Sequence, residues 1–117
     1  MTKNLKELKT IEDLEGSIRE SNERPVLLFK HSTTCPISGR AFRKLQEHIE
    51  LANGGVGYNL VIVQTARAVS NEVADRLGIR HESPQAILIR NGREVWNASH
   101  FDITADAIEE AIRGAMD

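Results

Sequence analysis

The element order α-β-α-β-α-β-β-α predicts an α/β protein with a mixed four-stranded sheet and helices on both faces. Three observations carry that expectation. Val26-Leu27-Leu28-Phe29 is an unbroken apolar run, the pattern of a strand buried on both faces of a parallel sheet. Asn59-Leu60-Val61-Ile62-Val63 is a second such run, separated from the first by a helical pattern, and strands joined through a helix pair in parallel. Asn91-Gly92 lies between two β-like runs and signals a tight hairpin, hence an antiparallel pair.

Each element has its own local reason. Thr10 followed three residues later by Asp13 is a variant capping box, and Ile11, Leu14 and Ile18 then form one apolar helical face. Arg24-Pro25 ends that region. After the first strand, Ala41, Leu45 and Ile49 recur at helical spacing with Phe42 beside them, and Asn53-Gly54-Gly55 is a strong stop. Ser70 is a candidate cap for a third helix with Val73, Ala74 and Leu77 inward and Gly78 after its end. Ser83-Pro84 leads into Ala86-Ile87-Leu88-Ile89, and Glu94-Val95-Trp96 returns after the hairpin turn. Thr104 caps a last helix, with Ile103 and Ile108 spaced as a hydrophobic staple.

The chain of 117 residues is expected to form one domain over residues 1–117, with room for one substantial core. A hydrophobic content of 40% with 27% charged residues suits a soluble globular protein. The formal net charge of -2 gives no electrostatic reason to expect nucleic acid or an anionic membrane as partner. No apolar stretch is long enough to span a bilayer, and Met1-Thr2-Lys3-Asn4-Leu5-Lys6 has no secretory signature. With a single cysteine no internal disulfide can form, which suits a reducing compartment, so a cytoplasmic location is expected. Cysteine count excludes a cysteine-rich zinc site. His31, His48, His81 and His100 show no metal-binding spacing, so no metal is expected.

Cys35 is the residue with chemistry. It follows Phe29-Lys30-His31-Ser32-Thr33-Thr34 and precedes Pro36, a residue favoured at the first helical position. Cys35 is thereby placed at a helix N-cap, where free backbone N–H groups and the positive end of the dipole face the sulfur. Such a site is expected to favour the thiolate, the nucleophile of thiol–disulfide exchange. The competing possibility is an inert buried thiol, since free cysteine is among the most buried residue types. Hydroxyls on Thr33, Thr34 and Ser38 weigh against an apolar burial. Ser38 has two open roles: a plain first-turn serine, or a donor to the thiolate.

With a cysteine at the first strand-to-helix turn and a proline before the hairpin, the chain resembles the thioredoxin fold. More narrowly, Thr34-Cys35-Pro36-Ile37-Ser38 is similar to the T-C-P-I-S site of the monothiol bacilliredoxins. Phe29-Lys30-His31-Ser32-Thr33, Ala66-Arg67 with Ser70-Asn71, His81-Glu82-Ser83-Pro84-Gln85, and Ala98-Ser99-His100 with Ile103-Thr104 follow the same pattern in order. The resemblance covers nearly the whole chain after the first helix.

That resemblance implies a thiol-disulfide oxidoreductase removing bacillithiol, a glucosamine–malate–cysteine thiol, from protein mixed disulfides. Cys35 is then the nucleophile, with Thr34, Pro36 and Ser38 supporting its thiolate. Ser38 occupies the place of a resolving cysteine, so a second bacillithiol resolves the adduct. No cofactor is tightly bound; bacillithiol is the co-substrate, and a flavin-dependent bacillithiol disulfide reductase recycles the product. Pro84 is implied to be cis, turning the Ser83 backbone toward the incoming disulfide for strand-like pairing. Bacillithiol carries carboxylates, for which Lys30, Arg40, Arg67 and Arg80 are candidate cations, Lys30 and Arg80 foremost. His81 and His100 are candidate donors to the leaving thiolate, with a surface or packing role the alternative for each. Three alternatives remain: a non-catalytic binding module, a thiol switch that accepts one adduct, and an iron–sulfur carrier, whose C-G-F-S pattern this chain matches poorly.

Overall fold

The structure, a computed structural model, describes residues 4–116; Met1 to Lys3 of the polar N-terminal segment and Asp117 lie outside the described residues. The chain runs β1 (Leu5–Glu7), α1 (Ile11–Glu20), β2 (Val26–His31), α2 (Pro36–Leu51), β3 (Gly57–Ile62), α3 (Arg67–Leu77), β4 (Gln85–Arg90), β5 (Arg93–Ser99), a 3-10 turn over His100–Asp102, and α4 (Ala105–Met116). The sheet has the order β1-β3-β2-β4-β5, with β2 parallel to β3 and antiparallel to β4, and β4 antiparallel to β5. The mixed α/β architecture with helices on both faces is the one the sequence predicts.

Among the described residues the sheet has five strands, not four. The additional strand, β1, pairs in parallel with β3 through Leu5 with Tyr58, Lys6 with Asn59 and Glu7 with Leu60. Its three residues carry one apolar side chain, so no alternation marks it in the sequence; it exists because β3 offers an open edge. Leu8, fully buried, continues the register by donating its N–H to the Leu60 carbonyl at 2.8 Å.

Every residue of β2 is buried, and its alternate side chains feed two half-cores. Leu27 and Phe29 pack with Ala41, Leu45 and Ile49 of α2 and Ile108 of α4. Val26 and Leu28 pack with Leu14 of α1 and Val69 and Val73 of α3 on the other face. Thr10 and Asp13 form the expected capping box, and Thr104 Oγ1 accepts the Ala107 N–H at 3.1 Å. The hairpin turn places Asn91 at φ 56° and Gly92 at φ 75°, both left-handed, as a two-residue turn matching strand twist requires.

The third helix departs from the expected start. It begins at Arg67 behind Ala66, and Ser70 lies inside it, 2% exposed. Backbone bonds from the Thr65 and Ala66 N–H groups to the Ile62 carbonyl fix the entry, so no side-chain cap is needed. The earlier start buries Val69 with Val73 one turn on. Gly78 ends the helix at φ 67°, as expected. Among the described residues no helix is long and apolar enough to cross a membrane.

Candidate active site

Cys35 sits where β2 gives way to α2, at the carboxyl end of a central parallel strand. It is the α2 N-cap, with φ -102° and ψ 121°, Pro36 in the first turn, and its carbonyl accepting the Gly39 N–H at 3.0 Å. The thiol is half-buried between exposed Thr34 and exposed Pro36. Its sulfur makes no capping hydrogen bond. The first-turn amides of Ile37 and Ser38 have no acceptor within the helix, and no side-chain cap bond joins the sulfur to them.

The loop that carries Cys35 is fastened from two sides. Gln64, just past β3, donates from Nε2 to Ser32 Oγ at 3.0 Å and Thr34 Oγ1 at 3.2 Å, and its Oε1 accepts the Thr33 N–H at 3.3 Å. One amide thus spans three successive loop residues. Ser38 holds the other side: its Oγ accepts the Ser32 N–H at 2.9 Å and lies 2.7 Å from His31 Nδ1. With the ring proton on Nε2, the Ser38 hydroxyl donates to Nδ1. Burial pushes the His31 pKa down, keeping the ring neutral and this bond available near neutrality. The imidazole is stacked 4.8 Å from Phe42 and 5.9 Å from Phe29. The Ser38 hydroxyl, for which the sequence left open a plain first-turn role and a bond to the sulfur, is engaged by His31 and the loop.

The Ser83-Pro84 peptide is cis. Antiparallel register pairs Lys30 with Gln85, which brings Pro84 level with His31 at the mouth of the Cys35 loop. Pro84 is buried and its carbonyl accepts the His100 N–H at 3.2 Å. His100 holds this position at φ 55°, a left-handed conformation uncommon for a residue with a side chain. Its Nε2 lies 4.0 Å from Glu82, just before the turn.

Of the expected substrate cations, Arg80 is exposed and 3.6 Å from Glu82, able to meet a solute. Lys30 is a correction. It is 0% exposed, with Nζ donating to the Ser70 carbonyl at 2.9 Å and lying 3.0 Å from His81 Nδ1. A strand residue between two neighbours points into one half-core, and Lys30 points under α3, where no solute carboxylate reaches it. The sequence hid Gln64, which no motif marks, and the polar pairs His31–Ser38 and Lys30–Ser70, whose members lie far apart or on opposite sides of the loop.

Burial lowers the Lys30 pKa from 10.5 to about 8. In that window the unfolded chain binds the proton more tightly than the folded one, so stability rises as the solution becomes more alkaline. Urea titrations should show a gain of roughly 2 kcal/mol from pH 8 to pH 10, and Lys30→Met should flatten it. Tyr58, raised to about 12 by burial and by Glu109, works in the opposite direction only above pH 10. A wild-type curve that is flat or falling between pH 8 and 10 would contradict the burial of this charge.

A family model described as monothiol bacilliredoxin (BrxC) matches residues 6–108. A solved structure with a thioredoxin fold is 34% identical at TM-score 0.82, covering 92% of this chain and 93% of its own. Thioredoxin of Fasciola hepatica, 19% identical at TM-score 0.76 and covering 94% and 98%, is similar in fold alone. So is the long form of spinach chloroplast thioredoxin f, 17% identical at TM-score 0.76 and covering 99% and 89%.

Proposed function

Because this chain belongs to the monothiol bacilliredoxin family and its fold is that of thioredoxin-like thiol-disulfide oxidoreductases, we propose that it removes bacillithiol from protein mixed disulfides through Cys35. The observation that carries this reading is a half-buried, solvent-reachable Cys35 at the start of α2, in a chain with no second thiol.

The Cys35 thiolate attacks the bacillithiol-side sulfur of the client's disulfide. That S–S bond breaks, the client cysteine leaves as its thiolate, and bacillithiol remains on Cys35 as a new mixed disulfide. Attack on the client's sulfur instead would join the two proteins. A second bacillithiol thiolate then attacks the adduct sulfur, freeing Cys35 and giving bacillithiol disulfide, which a flavin-dependent reductase returns to thiol. The cis turn supports binding: Ser83 offers its backbone groups for strand-like pairing with the client segment beside its disulfide. Exposed Arg80 is the candidate partner for a bacillithiol carboxylate. An unpaired thiol works in a reducing compartment, and the cytoplasm is the proposed location.

The test is incubation with a bacillithiolated model protein and mass spectrometry of both chains. Early in the reaction the adduct mass should appear on this protein. With excess bacillithiol, many client molecules should be cleared per enzyme molecule. An adduct that stays on the client argues for a binding module, and one equivalent transferred without turnover argues for a switch.

A further inference from the structure

Three successive residues ahead of the cis turn are held from beneath by two buried polar side chains. Gln85, 2% exposed, spans Arg80 and Glu82: its Nε2 donates to the Arg80 carbonyl at 3.1 Å, and its Oε1 accepts the Glu82 N–H at 3.3 Å. Lys30 takes the residue between them through His81 Nδ1 at 3.0 Å. Lys30 and Gln85 are register partners on adjacent antiparallel strands, so their side chains leave the same sheet face. The second Lys30 bond, to the Ser70 carbonyl at 2.9 Å, ties this clamp to α3. A buried ammonium is expensive unless its protons are accepted, so a lysine in this position needs a use that an apolar residue would not serve.

The geometry points to Lys30 and Gln85 as positioning residues that set the Ser83-Pro84 turn for the incoming disulfide, with His81 as the exposed contact through which Lys30 acts. The pairing works in one protonation arrangement. Lys30 donates as an ammonium, and His81 accepts at Nδ1 with its proton on Nε2. Burial and the neighbouring Lys30 charge hold the His81 pKa below the ordinary histidine value, which keeps that arrangement populated at neutral pH. The groups facing His81 are Lys30 from β2, Arg67 and Ser70 from α3, and Glu82 alongside it, which His100 and Arg80 also approach. Protonating His81 removes the acceptor and sets two cations against each other, so the turn loosens as pH falls.

This inference rests on the reading of Cys35 as a dethiolating nucleophile, and its test separates the two. His81 is exposed, so His81→Ala leaves the core intact, while His81→Asn restores an acceptor near the Nδ1 position. The clamp holds the turn and not the Cys35 loop, which Gln64 and Ser38 fasten. His81→Ala should therefore raise KM for a bacillithiolated client about tenfold, with kcat changed less than twofold. Iodoacetamide alkylation of Cys35 should stay within twofold of wild type. His81→Asn should recover KM, and should lack the wild-type rise in KM below neutral pH. Hydrogen exchange at the Glu82 amide, read without any turnover, should quicken about tenfold in His81→Ala. An unchanged KM, a failure of Asn to rescue, or an equal fall in alkylation overturns the assignment. Faster exchange in a protein whose wild type never turns over a client preserves the clamp and overturns the dethiolation reading instead. Unchanged exchange overturns the clamp.

Discussion

Cys35→Ser is expected to abolish adduct transfer while leaving the protein as stable as wild type or more so. The two effects come from one position. An alkoxide is not available near neutral pH to attack a disulfide, so no mixed disulfide with residue 35 forms, and turnover should fall by at least about a thousandfold. The same residue is the N-cap of a 16-residue helix, in extended conformation, and the cysteine sulfur provides no capping bond. Serine is among the best N-cap residues because its oxygen accepts an N–H of the first turn, a substitution worth on the order of 0.5–1 kcal/mol. A mass-spectrometric transfer assay run beside urea unfolding checks both halves. Residual transfer above the level without enzyme would mean that another group carries the chemistry. A clear loss of stability would mean that the α2 start is held by the sulfur and not by the backbone and Pro36. A gain, as expected, would set activity at this position against local stability.

Phe29→Ala is expected to have the largest effect on folding. Phe29 is fully buried in the central strand, paired with Leu60 on one side and Ala86 on the other. It packs into the α2–α4 half-core and stacks 5.8 Å from Phe42. Removing a buried aromatic ring costs about 3–5 kcal/mol through lost transfer energy and the cavity left behind. That is a large part of the ~5–15 kcal/mol by which domains of this size are stable. The substitution also takes away one ring supporting His31, hence the Ser38 bond and the footing of the Cys35 loop. Phe29→Leu keeps most of the apolar volume and separates the two consequences. It should cost under about 1.5 kcal/mol yet still slow client dethiolation several-fold. Denaturant unfolding with transfer kinetics on both variants checks this. A loss below about 1 kcal/mol in Phe29→Ala would show that neighbouring side chains close the gap.

The candidate thiol and most of the fold were legible because they depend on near neighbours in sequence. Pro36 and the Cys35 cap position are adjacent, the Thr10–Asp13 box spans four residues, and the Asn91-Gly92 turn names its own conformation. The cis state of Pro84 came from family likeness, since a lone X–Pro bond is trans by default. The short strand β1 was not legible: a three-residue edge is recruited by its neighbour and carries no period of its own. The early start of α3 escaped for the opposite reason, because a backbone turn replaced the side-chain cap that a sequence can display.

What the sequence by itself determined is the sulfur, its place at a helix start and the alternation of strands and helices around it. Those follow from local sterics, capping and hydrophobic period. What only the tertiary structure decided is the role of the polar groups beneath the site. Lys30 reads in one dimension as a cation free to meet a carboxylate; in three it is sealed under α3, bonded to the Ser70 carbonyl and to His81. Ser38 reads either as a plain first-turn serine or as a donor to sulfur, and its hydroxyl lies against His31; Gln64 reads as nothing until the loop closes on it. The bonds of Lys30 to Ser70 and His81 and of Gln64 to Ser32 and Thr34 join residues 30 to 51 positions apart, and they are set by which elements lie side by side and which face each side chain leaves, which no local pattern encodes.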